Sequence, residues 1–199
     1  MKNLLNLIKV NIILLFLIPT LYAENVLSSF LMGDDQAPTT VIEYRSMTCS
    51  HCAEFANDTF SDVKKNYIDN GKIKFELRPF VLNAVDLVAF KLMHCVDQAD
   101  FLQLDKLLFK DQNKWLVTDE KERVLENSTE ALKKYALLFG LSETDFSQCL
   151  ESEEIENFIL QMRVDGSDKY QINSTPTFIV NGEIHAGNMS YDEFEKLLK

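Results

Sequence analysis

Thr40-Val41-Ile42-Glu43-Tyr44, then Cys49-Ser50-His51-Cys52, then a helical spacing of apolar residues from Ala53 to about Asn70, is the stretch that decides the fold. The first segment reads as a strand and the last as a helix. In that order Cys49 falls at a helix N-terminus, where unpaired backbone N–H groups and the positive end of the macrodipole favour a thiolate over a thiol. Cys52, one turn deeper, can then resolve a mixed disulfide formed by Cys49. Two other readings of the pair stand beside redox chemistry: half of a zinc site, and a structural turn. Zinc would need two more ligands, and the remaining cysteines, Cys95 and Cys149, lie far apart with no second Cys-x-x-Cys.

Outward from this stretch, residues 39–46 and 73–81 are β-like and flank the helix, with Asn70-Gly71 as its stop signal. Strand, helix and strand joined in this way predict a right-handed parallel βαβ unit. From Asn83 to about Leu150 the spacing is only helical. Val85, Leu87, Val88, Leu92, Met93 and Val96 make one stretch; Phe101, Leu104, Leu107 and Leu108 make a second. Asn127 with Glu130 predicts a capped helix ending at Gly140, and Ser142 with Asp145 opens another. A helix from about Glu153 to Lys169 follows, with Ile155, Phe158, Ile159 and Met162 inward. Thr177-Phe178-Ile179-Val180 and Glu183-Ile184-His185-Ala186 flank Asn181-Gly182, a strong hairpin signal, and an amphipathic helix from Tyr191 to Leu198 closes the chain. The expected class is α/β: a βαβ half, an inserted all-helical subdomain and a ββα half. The expected domains are 24–82 with 153–199 for the two halves and 83–152 for the insertion.

Residues 1–23 read as an export signal: Lys2 and Lys9 are the positive region, Ile12 to Ile18 the apolar region, and Leu21-Tyr22-Ala23 the cleavage site. The apolar stretch is interrupted by Asn11 and Pro19 and is shorter than the roughly 20 residues a spanning helix needs. The expected location is therefore outside the cytosol, in a periplasm or extracellular space, where disulfides persist. The whole chain carries 20 basic and 31 acidic residues, and removal of Lys2 and Lys9 leaves 18 against 31, a formal charge of −13. That balance argues against nucleic acid or an anionic membrane surface as partner. Four sequon-like triplets begin at Asn57, Asn127, Asn173 and Asn188, a short and common pattern read as chance.

Glu43, Cys49-Ser50-His51-Cys52 and Ser174-Thr175-Pro176-Thr177-Phe178-Ile179-Val180-Asn181-Gly182, with a helical block between them, resemble the DsbA-like thiol:disulfide oxidoreductases of the thioredoxin superfamily. The resemblance covers roughly residues 30 to 199. It implies that Cys49 attacks and Cys52 resolves, that Pro176 is a cis-proline lying against the disulfide, and that Thr175 faces the cysteines. His51, between the thiols, would stabilise the Cys49 thiolate and so make the disulfide more oxidising. The family's best-known member has Pro where this chain has Ser50. Glu43, on the strand beneath the site, would pass protons to Cys52. A solvent-facing strand Glu is the plain alternative, and the family's lysine partner has no clear counterpart, with Phe75 near its position and Lys74 adjacent. Cys95 and Cys149 are expected to form a structural disulfide, as some relatives carry a second pair here; two buried free thiols are the alternative.

The resemblance implies an enzyme that gives its Cys49–Cys52 disulfide to newly translocated reduced proteins and is reoxidised by a membrane quinone-linked partner of the DsbB type. It is expected to be monomeric, with no metal and no organic cofactor. A disulfide isomerase or reductase of the same fold is the nearest competing reading, and a holdase without redox turnover the third.

Overall fold

The computed structural model describes residues 27–199, so the export signal expected over residues 1–23 lies outside the described residues. Among the described residues five strands form one mixed sheet: β1 (Phe30–Gly33), β2 (Thr39–Arg45), β3 (Ile73–Pro79), β4 (Thr177–Val180) and β5 (Glu183–Ala186), in the order β1-β3-β2-β4-β5. β2 and β3 are parallel, with Glu43 opposite Leu77, and the other pairings are antiparallel. The central position of β2 covers it on both faces, and Val41, Ile42, Glu43, Tyr44 and Arg45 are all buried. A strand with no solvent face must find partners for any charge it carries.

One helix, α1 (residues 50–68), joins β2 to β3. Its α-helical turns, Ser50–Glu54 and Phe60–Val63, alternate with π-helical turns at Phe55–Thr59 and Lys64–Ile68. The wider π turns let Phe55, Thr59, Val63 and Ile68, spaced four and five apart, share one inward face. The helix stops where expected: Gly71 takes a left-handed φ of 66° and donates its N–H to the Ile68 carbonyl.

The helical block follows as α2 (Ala84–Cys95), α3 (Phe101–Lys110), α4 (Gln112–Trp115), α5 (Val124–Leu138) and α6 (Glu143–Glu151), and the chain returns through α7 (Glu153–Tyr170) to the β4–β5 hairpin and α8 (Tyr191–Leu197). Asn181 and Gly182 both have positive φ, 48° and 94°, as the two-residue hairpin requires. One sheet face packs with α1, α8 and the helical block around Phe55, Phe75, Phe178 and Phe194; the other carries a smaller cluster of Ile42, Tyr44, Phe80, Ile172 and Ile179. Cys95 in α2 and Cys149 in α6 are joined by a disulfide.

Two expectations need correction. β1 had no counterpart in the sequence reading: it is four residues long at the sheet edge, and it is held through Phe30, which stacks on Phe101 and His94. Helix α5 begins at Val124 rather than after Asn127, because a 3-10 turn at Lys121–Arg123 feeds straight into it. Ser128, next to the expected cap, is buried and accepts the Val117 N–H at 3.0 Å.

Gly166, near the C-terminal end of α7, lies against the Tyr44 ring; a Cβ there would come within 2.7 Å of a ring carbon. The ring has little room to yield, since Tyr44 is fully buried and its hydroxyl receives Arg78 Nη1 at 3.0 Å. Gly166→Ala gains about 1 kcal/mol of helix propensity against about 1–3 kcal/mol of overpacking. The expected result is a lower denaturation midpoint at unchanged slope, measured by urea unfolding followed by circular dichroism.

Candidate active site

The site grows from the end of β2. The chain turns through Ser46, Met47 and Thr48, with the Cys49 N–H donating to the Ser46 carbonyl, and α1 starts at Ser50 with Cys49 as its extended N-cap residue. The turn is held from the helical block. Buried Asp86 accepts the Met47 N–H at 2.7 Å and the Leu82 N–H at 2.9 Å, and the Gln112 amide donates to the carbonyls of Met47 at 2.8 Å and Cys49 at 3.1 Å. Burial pushes the Asp86 carboxyl up to about 6.

The two thiols occupy opposite environments. Cys49 is half-buried and its thiol donates to the Thr175 carbonyl at 3.3 Å. A hydrogen bond from the Cys52 thiol, helped by the Thr175 hydroxyl and the backbone N–H groups of Cys52 and His51, lowers its pKa to about 5 against the opposing effect of burial. The Thr175 hydroxyl oxygen is buried and has no fixed hydrogen-bond partner among the described residues, so it is free to turn toward the Cys49 sulfur. Cys52 is fully buried, and desolvation first, then the Cys49 side chain and the charge of Glu43, push its pKa far up. The Ser46 N–H donates to its sulfur at 3.5 Å. The Thr175–Pro176 peptide bond is cis.

His51 does not turn its ring to the thiols. The side chain is 65% exposed and its Nδ1 lies 3.1 Å from Glu54, which also accepts the Asn188 amide at 3.0 Å. Glu54 raises the His51 pKa, with the Cys49 charge a smaller contributor, so the ring influences Cys49 at a distance while the His51 backbone N–H acts directly.

Glu43 is fully buried, which removes the solvent-facing alternative. Its partner comes from its own strand: Arg45 Nη2 lies 2.8 Å from Glu43, and Arg45 Nη1 lies 2.6 Å from Asp105 on α3. The guanidinium also sits over the Phe109 ring at 5.0 Å. Burial raises the pKa of both carboxyls against the pull of Arg45. Lys74 instead pairs with Asp35 at 2.8 Å, and Phe75 is core. Arg45, Asp105, Gln112 and Asp86 were missed from the sequence, yet two of them left a trace. Arg45 is two residues from Glu43 and so on the same strand face. Asp105 interrupts the apolar stripe of Phe101, Leu104, Leu108 and Phe109.

A sheet with this order, and two thiols one helical turn apart where its central strand ends, define a thioredoxin-fold dithiol protein. A family model described as Thioredoxin matches residues 25–199, and the chain belongs to that family, within its DsbA-like branch. Wolbachia pipientis alpha-DsbA1 is 28% identical with a TM-score of 0.77, over 86% of this chain and 89% of that one. Disulfide bond formation protein D of Bacillus subtilis is 26% identical over 85% of this chain and 75% of its own length. A Rickettsia conorii protein named, provisionally, as a protein-disulfide oxidoreductase is 31% identical over 83% of this chain. The chain spans 57% of that relative's length.

The Cys49 pKa lies below the ordinary thiol value of 9.0, so the thiolate stabilises the reduced protein fully above about pH 9 and that contribution is lost as pH falls through 5. Thiolate absorbance of the reduced Cys95→Ala/Cys149→Ala protein should therefore change with a midpoint near pH 5, and a midpoint near 9 would refute the environment described. The same double variant should lose at most about 4 kcal/mol of stability by urea unfolding, the loop-closure value for a bridge of this span, with the Cys49 titration unmoved.

Proposed function

We propose that this chain is an exported thiol:disulfide oxidoreductase that introduces disulfide bonds into newly translocated proteins through Cys49 and Cys52. The observation that carries the reading is the opposition of the two thiols, one half-exposed with a pKa lowered to about 5 and one buried with its pKa pushed up. A substrate thiolate attacks Cys49 Sγ of the oxidised pair. The Cys49–Cys52 bond breaks, and Cys52 leaves with the electron pair and takes a proton. The second substrate thiolate then attacks the substrate sulfur of the mixed disulfide and expels Cys49, a good leaving group because its thiolate is stable. The substrate loses two electrons and the enzyme's dithiol gains them.

Glu43 is the carboxyl whose charge acts on Cys52, and it can supply the proton because burial favours its protonated form. Thr175 and Pro176 form the wall against which a substrate strand lies, beside the Cys49 sulfur. Residues 24–82 and 153–199 carry this chemistry, with 83–152 as the helical insertion. A quinone-linked membrane protein of the DsbB type restores the disulfide, the mature chain acts as a monomer in the periplasm, and residues 1–23 direct its export. These partners, the location and the substrates rest on the family resemblance.

Cys52→Ala should trap mixed disulfides when its Cys49 thiolate attacks a disulfide-bearing substrate and nothing resolves the product, seen as high-mass adducts on non-reducing gels that vanish with reductant. Cys49→Ala should trap none; equal trapping by both would reverse the assigned roles. Stoichiometric oxidation of a reduced test protein supports the oxidase, whereas efficient reshuffling of a scrambled one without net oxidation points to an isomerase.

A further inference from the structure

Beneath Cys52 lies a cluster that the mechanism above uses only in part. Glu43 and Asp105 share one guanidinium, that of Arg45, and all three side chains are buried. Glu43 Oε1 and Arg45 Nε have no hydrogen-bond partner among the described residues. Two carboxylates and one cation leave a net negative charge in a place without solvent, so a single proton held on the carboxyls neutralises it. We propose that Asp105, on the helical block, is a positioning residue for proton transfer to Cys52: by competing for Arg45 it keeps the proton on Glu43.

Charge and geometry both carry this. The titratable or charged groups facing Glu43 are Arg45 on its own strand, Asp105 on α3 through that arginine, and Cys52 on α1. Its register partners on β3 and β4, Leu77 and Phe178, do not titrate. Arg45 cannot rotate toward Glu43 alone while Asp105 holds Nη1 at 2.6 Å and Phe109 covers the guanidinium. When the Cys49–Cys52 bond opens, the proton passes from the Glu43 carboxyl to the Cys52 thiolate, and the carboxylate left behind is held by Arg45. On reoxidation the proton returns along the same path. The inference rests on the oxidoreductase reading for its purpose, and on the buried cluster alone for its existence.

The test follows the pH profile of disulfide opening by a reduced peptide dithiol, together with the carbon-13 titration of the Glu43 carboxyl, in the full chain. Asp105→Asn keeps an oxygen acceptor for Arg45 and removes the competing charge. The Glu43 midpoint and the high-pH limb of the rate should both move down by about one pH unit, about tenfold in the protonated fraction. Asp105→Glu should restore them. In a Glu43→Gln background Asp105→Asn should leave the profile unchanged. A lower stability with an unmoved Glu43 midpoint makes Asp105 merely structural and overturns the proposal, as does a shift that persists without Glu43. In the unsubstituted protein the Glu43 and Asp105 carboxyls should each report the other's transition; two independent single-step titrations overturn the proposal even if Asp105→Asn does not fold. Failure of the unsubstituted protein to oxidise any dithiol removes the oxidoreductase reading, while the carboxyl titrations still decide the coupling.

Discussion

Arg45 must be neutralised where no water can reach it, and much of the molecule's arrangement follows from that. It stands at the end of the central strand, covered on both faces, and its two carboxylate partners come from different layers. Glu43 is on the same strand and Asp105 is on the helical block. Leaving such a charge without a partner costs about 3–5 kcal/mol, so the helical block is drawn onto the sheet at this point. Phe109, beside Asp105, closes over the guanidinium. The same contact that docks the block therefore sets the field beneath the buried thiol.

Above it, one helical turn separates two cysteines that chemistry needs to be unlike. Both thiols belong to the same short segment, and neither differs from the other in sequence context by more than three residues. Their divergence is positional. Cys49 stands at the N-cap with its sulfur toward Thr175 and two backbone N–H groups; Cys52 points down toward Glu43. Fold geometry rather than residue choice makes one a stable anion and the other a reluctant one. His51, between them, contributes its backbone N–H directly and lends its ring to Glu54.

The features legible in the sequence were those encoded by local rules. The Asn181-Gly182 hairpin, the Ser142–Asp145 capping box and the Asn70-Gly71 stop each depend on residues within a few positions of one another, and each is present; the βαβ unit follows from the order of locally readable elements and the handedness of their connection. β1 was not legible because four edge residues carry no period of their own, and its anchor, the stacking of Phe30 on Phe101, spans distant parts of the chain. The thiol pair could be read from its motif. Its supporting residues could not, since Asp86 and Gln112 act on the backbone of a turn far away in sequence. Arg45 and Asp105 fell between: Arg45 shares a strand face with Glu43 and Asp105 breaks an apolar helix stripe, but only the folded chain brings them together.

Gln112 bonds the carbonyls of Met47 and Cys49 with a single amide nitrogen. The backbone on which Cys49 is presented thus takes part of its shape from a residue outside the βαβ unit that supplies the cysteines. The helical block is consequently not an interchangeable cassette. A chimaera that grafts another insertion between β3 and α7 would inherit the cysteine motif intact, yet lose the stitch that holds its first carbonyl and the acid that grips Arg45. Reactivity in this protein is distributed across the seam between sheet and helical block, and swapping either side alone would separate the motif from its tuning.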